Sequence, residues 1–157
     1  MTDSDPEAIR QILVELRDFN KDKRRTAVMK LGMLGGDEAV TTLILLVQNT
    51  HEDLIARGRA ALMLGKLGDP RAVYALIQAL DAPGYQTPLY AAQALGKLGD
   101  PRAVGPLLDV LRSAPNDTLR AAALEALRRL GHLPPPRPAE AEIQDEPFQG
   151  EPERCDS

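Results

Sequence analysis

Few of the residues that carry chemistry are present in this chain. The single cysteine, Cys155, leaves no partner for a disulfide and no cysteine cluster for a metal. Tryptophan is absent and aromatic residues make up 3% of the chain, so any core must be filled by Leu, Ala and Val, as in regular helix-on-helix packing. Serine is confined to Ser4, Ser113 and Ser157, in a terminus, a turn and the tail, and neither His51 nor His132 can be assigned as a base to any of them. A hydrolase triad therefore has no support. No apolar run is long enough to span a bilayer, and the acidic start MTDSDPEAIRQ does not read as a signal peptide. The expectation is a cytoplasmic protein without catalytic residues, metal or cofactor.

What the chain does contain is repetition. The ten residues LGKLGDPRAV stand unchanged at 64–73 and 95–104, 31 residues apart. An exact tandem copy implies a supersecondary unit that cannot bury its apolar face alone and needs a stacked neighbour. Extending the register recovers Ala8-Ile9 and Ala39-Val40 at the start of two further units, and Leu31 to Gly35 and Leu127 to Gly131 at the end of two. Four repeats follow, at 6–36, 37–69, 70–100 and 101–132, with the length differences placed in the turn inside each unit.

Each unit carries two helical patterns. In the first, apolar residues recur at i, i+3, i+4 and i+7, as in Ile9, Ile12, Leu13 and Leu16 or Val73, Leu76, Ile77 and Leu80. Asp5-Pro6, Asp69-Pro70 and Asp100-Pro101 mark its start: the carboxylate caps free amides and proline at the first helical position loses no needed donor. In the second unit Gly36-Asp37 substitutes for that pair. The second pattern is richer in small residues, as in Ala60-Ala61 and Ala91-Ala92, which let helix axes approach closely. It enters at Asn20, Asp53 or Asn116, with Arg24, Arg57 or Arg120 four residues later, and these arginines read as ties between turn and helix. In the third unit Pro88 stands at that place, predicting a later start with Thr87 as N-cap and a longer loop presenting Tyr85.

The pattern D-P-R-A-V-x-x-L-h-x-x-L, a short turn, then R-x-A-A-x-x-L-G-x-L-G resembles the HEAT-like repeat of the phycobilin lyases over residues 6–132. The resemblance implies an all-α solenoid of four helical hairpins whose second helices line the concave face. It does not supply a function, because the repeat serves lyases, hydroxylases and plain binding proteins alike. HEAT-like deoxyhypusine hydroxylases bind iron through His-Glu pairs in the second helix. The matching positions here hold Arg25-Thr26, Gly58-Arg59, Leu89-Tyr90 and Ala121-Ala122, so that site is not expected, and His51-Glu52 reads as a solvated turn. Nor is the G-K-L-G a phosphate loop, since it lies at a helix C-terminus, whose carbonyls repel anions.

Charge separates a domain from a tail. Residues 1–131 hold 17 Lys and Arg against 16 Asp and Glu, while residues 132–157 hold 2 against 7. Six prolines and few large apolar residues predict that 133–157 is a disordered acidic tail beside a repeat domain at 1–132. Its carboxylates, Glu140, Glu142, Asp145 and Glu146 among them, could transiently cover nearby cations. Because the domain is close to neutral and its Lys21 to Arg25 cluster has no interleaved aromatics, nucleic acid is not an expected partner, and the cluster reads as the solvated end of a solenoid.

The remaining candidate is a surface. On the second helices, outward positions include Arg25, Met29, Arg59 and Leu62, then Tyr90 and Gln93, with Gly58 and Ala122 in the same set. Lys66, Lys97 and Arg129 are register-equivalent and should form a basic ladder spaced by roughly 10 Å. Cations at helix C-termini also complement the macrodipole, which offers a purely structural reading of the ladder. Tyr85 and Tyr90 near the concave rim resemble interface anchors. The expected function is a non-catalytic scaffold or adaptor that binds through the concave face; the alternative, if the resemblance extends that far, is a lyase-like enzyme or accessory subunit handling a tetrapyrrole. A monomer that binds a protein partner, with no membrane contact, is the corresponding expectation.

Overall fold

The computed structural model describes residues 5–133, and every regular element among them is helical. Four hairpins follow one another: α1 (Pro6–Glu15) with α2 (Lys21–Leu34), α3 (Asp37–Gln48) with α4 (Leu54–Leu67), α5 (Val73–Ala79) with α6 (Gln86–Leu98), and α7 (Val104–Ser113) with α8 (Asp117–Arg129). The acidic tail from Pro134 onward, with Cys155 and the carboxylates from Glu140 to Glu146, lies outside the described residues. Leu133, at the boundary, still packs against the core.

Local signals set the helix ends. Asp5, Asn20, Asp53 and Asn116 each accept from a free amide of the first turn, at 3.0, 2.9, 3.0 and 2.8 Å. Gly36 caps α3 without a side chain. At Asp69-Pro70 and Asp100-Pro101 the structure differs from the expected direct entry into α-helix. Pro70–Ala72 and Pro101–Ala103 first form a 3-10 turn, with Ala72 and Ala103 amides donating to Asp69 and Asp100 carbonyls at 3.1 Å. The aspartate's hold on the amide and guanidinium of Arg71 or Arg102 tightens that turn. Gly68 and Gly99 end α4 and α6 at φ 67° and 70°, a left-handed conformation that a Cβ would penalise.

A leucine spine runs through the stack. Leu31, Leu64, Leu95 and Leu127, equivalent in the four repeats, have no exposed surface, and Leu43, Leu76 and Leu107 of the first helices meet them. Between second helices the packing depends on glycine. A Cβ on Gly65 would stand 2.8 Å from the Ala94 Cβ, one on Gly96 would stand 2.9 Å from the Ala126 Cα, and one on Gly32 would overlap Met63. Each glycine is therefore a notch for a side chain of the next repeat. In the fourth repeat Arg128 holds the equivalent position, so the notch series stops there. The result is asymmetric: α2, α4, α6 and α8 pack extensively in sequence, whereas contacts between successive first helices are much sparser. The closely packed layer is that of the second helices, the side expected to be concave.

Candidate functional site

The second helices carry the candidate residues, and the structure sorts them. Lys66, Lys97 and Arg129 are all exposed, one per successive helix. Lys66 and Lys97 make no ion pair among the described residues, while Arg129 approaches Glu125 at 3.5 Å, as Arg128 does at 3.7 Å. Gln93 and Lys97 of α6 and Glu125 and Arg129 of α8 line one cavity of about 270 Å³, floored by Ala122 and Ala126. Met29, Arg59, Leu62 and Tyr90 are half-buried; Met29, Leu62 and Tyr90 pack against the core cluster, and Met33 at the first-repeat end is 83% exposed. Met29, Met33, Leu62 and Tyr90 thus give apolar surface on the first three repeats, beside the charged group of Lys97, Glu125 and Arg129 on the last two.

Three expected positions are not free surface. Gly58 is buried, because Gln86 of the next repeat covers it, with its Cβ 3.0 Å from where a Gly58 Cβ would stand. Ala122 is buried as well. Arg25 is held: its Nε donates to Asp53 Oδ2 at 2.6 Å, its Nη2 to Asp53 Oδ1 at 2.8 Å and its Nη1 to Asp22 at 3.1 Å. This bidentate pair raises the affinity of Arg25 for its proton, and the Arg25 hydrogen bonds hold the Asp53 carboxyl down to about 2. Arg24 reaches Glu52 at 3.1 Å. The cluster expected as a solvated solenoid end is therefore, at Arg24 and Arg25, the seam between the first two repeats; Lys21 and Lys23 remain exposed.

The turns also divide. Arg24 and Arg57 tie turn to helix through backbone carbonyls, as expected, but Arg120 contacts only Asp117 of its own helix at 3.4 Å. Thr87 does not cap α6. That helix begins at Gln86, and the buried Thr87 hydroxyl instead donates to the Leu54 carbonyl of α4 at 3.3 Å. Tyr85 consequently sits apart from the ladder. It lines a larger cavity, about 440 Å³, between the turns of the third and fourth repeats, with Asp81 and Asp109 at its edge. Sequence reasoning missed this cavity; its signal was the proline at 88, where the three other repeats have arginine.

Among the described residues no three His, Cys, Asp or Glu side chains gather as a metal would require, and no helix is long and apolar enough to cross a membrane. Comparison with known proteins adds the family. HEAT repeats match residues 6–90 and 88–128, nearly the whole solenoid. The chain belongs to the HEAT-repeat family. Among solved structures this HEAT-repeat chain is similar to the complex of CpcE and CpcF of phycocyanin lyase from Nostoc sp. PCC7120, at 27% identity and a TM-score of 0.67, over 78% of this chain and 53% of that one. The chain spans about half the length of that neighbour. No curated protein matches the sequence.

Proposed function

We propose that this HEAT-repeat chain is a non-catalytic scaffold or adaptor, cytoplasmic and monomeric, that binds a protein partner along its concave face. The observation that carries the reading is the pair Lys66 and Lys97, exposed at equivalent positions with no carboxylate paired to them among the described residues. A cation placed only to complement a helix terminus could be satisfied equally well by any neighbouring acid, as Arg129 is by Glu125. Two cations unpaired among the described residues, on the same helix layer as the half-buried Met29, Leu62 and Tyr90, suit a segment that presents carboxylates and apolar side chains together. Residues 1–132 would form the binding domain and 133–157 an appended acidic segment.

The neighbour's title names a complex, which favours a protein partner; it also names a phycocyanin lyase, which favours a second reading, a lyase-like subunit handling a tetrapyrrole on the same face. One experiment separates them: affinity capture from the native host, with absorbance recorded on the captured material. For the scaffold, Tyr90→Ala and Lys97→Ala should each weaken partner capture about tenfold or more, with Gln78→Ala on the opposite surface silent. Equal losses from all three would refute the concave site. Visible absorbance that copurifies with the chain and disappears in the Tyr90→Ala variant would replace the scaffold by the tetrapyrrole reading.

A further inference from the structure

The repeat itself shows what fits the cavity beside Pro88. In the first repeat Arg24 turns back to its own turn, where Nη1 donates to the carbonyls of Asp18 and Phe19 at 2.9 and 3.1 Å, while Nε reaches the Glu52 carboxylate of the next turn at 3.1 Å. In the second, Nε and Nη2 of Arg57 both donate to the Val47 carbonyl, at 3.1 and 3.0 Å. A guanidinium there meets carbonyls at the end of the first helix, as Arg57 does, or in the turn that follows it, as Arg24 does, and Arg24 also bridges to the following repeat. Pro88 occupies the equivalent position in the third repeat and has no donor to offer.

Beside it lies the cavity of about 440 Å³, between the turns of repeats three and four. Its lining mixes apolar side chains, among them Leu80, Pro88, Pro106 and Leu119, with polar ones such as Ser113 and Asn116, and no Lys or Arg is among the described residues that line it. Two carboxylates do. Asp81 makes no ion pair among the described residues, and Asp109 has Arg112 at 3.6 Å with both side chains largely exposed. Tyr85, 55% exposed, lines it as well.

We propose that this cavity receives an arginine side chain from an extended segment of a partner protein. The guanidinium would lie against the Tyr85 ring and toward Asp81 and Asp109, with its aliphatic stem along the two prolines. Arginine suits the site better than lysine because its planar cation stacks on an aromatic face, needs less water and can address two acceptors at once. The volume falls within the range of side-chain and small-ligand pockets. This site is separate from the concave face, so it stands or falls independently of the scaffold reading.

The test uses the full chain, isotopically labelled, titrated with an acetylated and amidated pentapeptide that has one central arginine between alanines. Amide shifts should concentrate at Gly84, Tyr85 and Asn116, and replacing arginine by citrulline should weaken binding about tenfold, since shape is kept and charge removed. Asp81→Asn should weaken it several-fold. Pro88→Arg, which restores the repeat's own guanidinium, should abolish the cavity shifts while leaving the circular dichroism spectrum unchanged. Shifts scattered over other acidic surfaces, equal binding of the citrulline peptide, or undiminished binding by a folded Pro88→Arg variant would each overturn the proposal.

Discussion

The seam between repeats one and two and the seam between repeats three and four are built on the same spine and finished differently. At the first, Arg24 and Arg25 reach across to Glu52 and Asp53, and the edge is closed by a bidentate ion pair. At the last, proline replaces the arginine, and the edge opens into a cavity bounded by Tyr85 and two aspartates. Both seams bury an invariant leucine and a glycine notch. Stacking therefore resides in the helix interior, where every repeat must agree, and individuality resides in the turns, where a substitution changes the edge without disturbing the stack.

The largest expected effect tests the shared part. Leu64→Ala and Leu95→Ala remove fully buried, equivalent side chains, so each should cost about 2 to 5 kcal/mol in chemical denaturation and the two should agree within about 1 kcal/mol. A clear disagreement would mean that the seams differ in their cores as well as at their edges.

A smaller effect tests the closed edge. Arg25→Ala removes the bidentate partner of Asp53 and should lower the midpoint of chemical denaturation measurably, because neither side chain is more than 17% exposed. Arg112→Ala, which breaks the exposed pair beside the open edge, should change thermal stability by no more than about 0.5 kcal/mol. Equal costs would erase the distinction between the two seams.

The smallest effect is a pH dependence. Asp53 has its folded-state pKa lowered from 3.8 to about 2, chiefly by the Arg25 hydrogen bonds, so folding favours the carboxylate. Its contribution is complete above pH 3.8 and is lost as pH falls through about 2. The stability difference between the parent and Asp53→Asn should accordingly be constant from neutral pH down to about pH 4 and shrink toward pH 2. A difference that persists undiminished at pH 2 would assign the effect to the Asp53 cap of α4 as a neutral acceptor, and not to the ion pair.

Much of this was legible before any coordinates. The exact copy of LGKLGDPRAV and the apolar spacing of Val73, Leu76, Ile77 and Leu80 are local and periodic, so the repeat count, helix order and buried leucines could be read directly. Caps at Asn20, Asp53 and Asn116 were legible for the same reason: a side chain that reaches only two or three residues along the chain needs no fold to be placed. The candidate surface was harder. Lys66, Lys97 and Arg129 could be aligned by register, but Arg25 in the same set turned out to be engaged by Asp53, 28 residues away.

Sequence by itself thus determined the periodic framework: four helical hairpins, their caps, and the leucine spine, because each rests on neighbours within a turn or on a pattern repeated about every 31 to 33 residues. Tertiary structure alone decided which charged groups are spent on holding the repeats together and which remain free. Thr87 could not be seen to turn inward toward Leu54, nor Gly58 to be covered by Gln86, until α4 and α6 were packed. Those outcomes depend on distances between side chains of different repeats, and a shift of one or two ångströms between helices exchanges a solvated charge for an ion pair or a packed turn for a cavity.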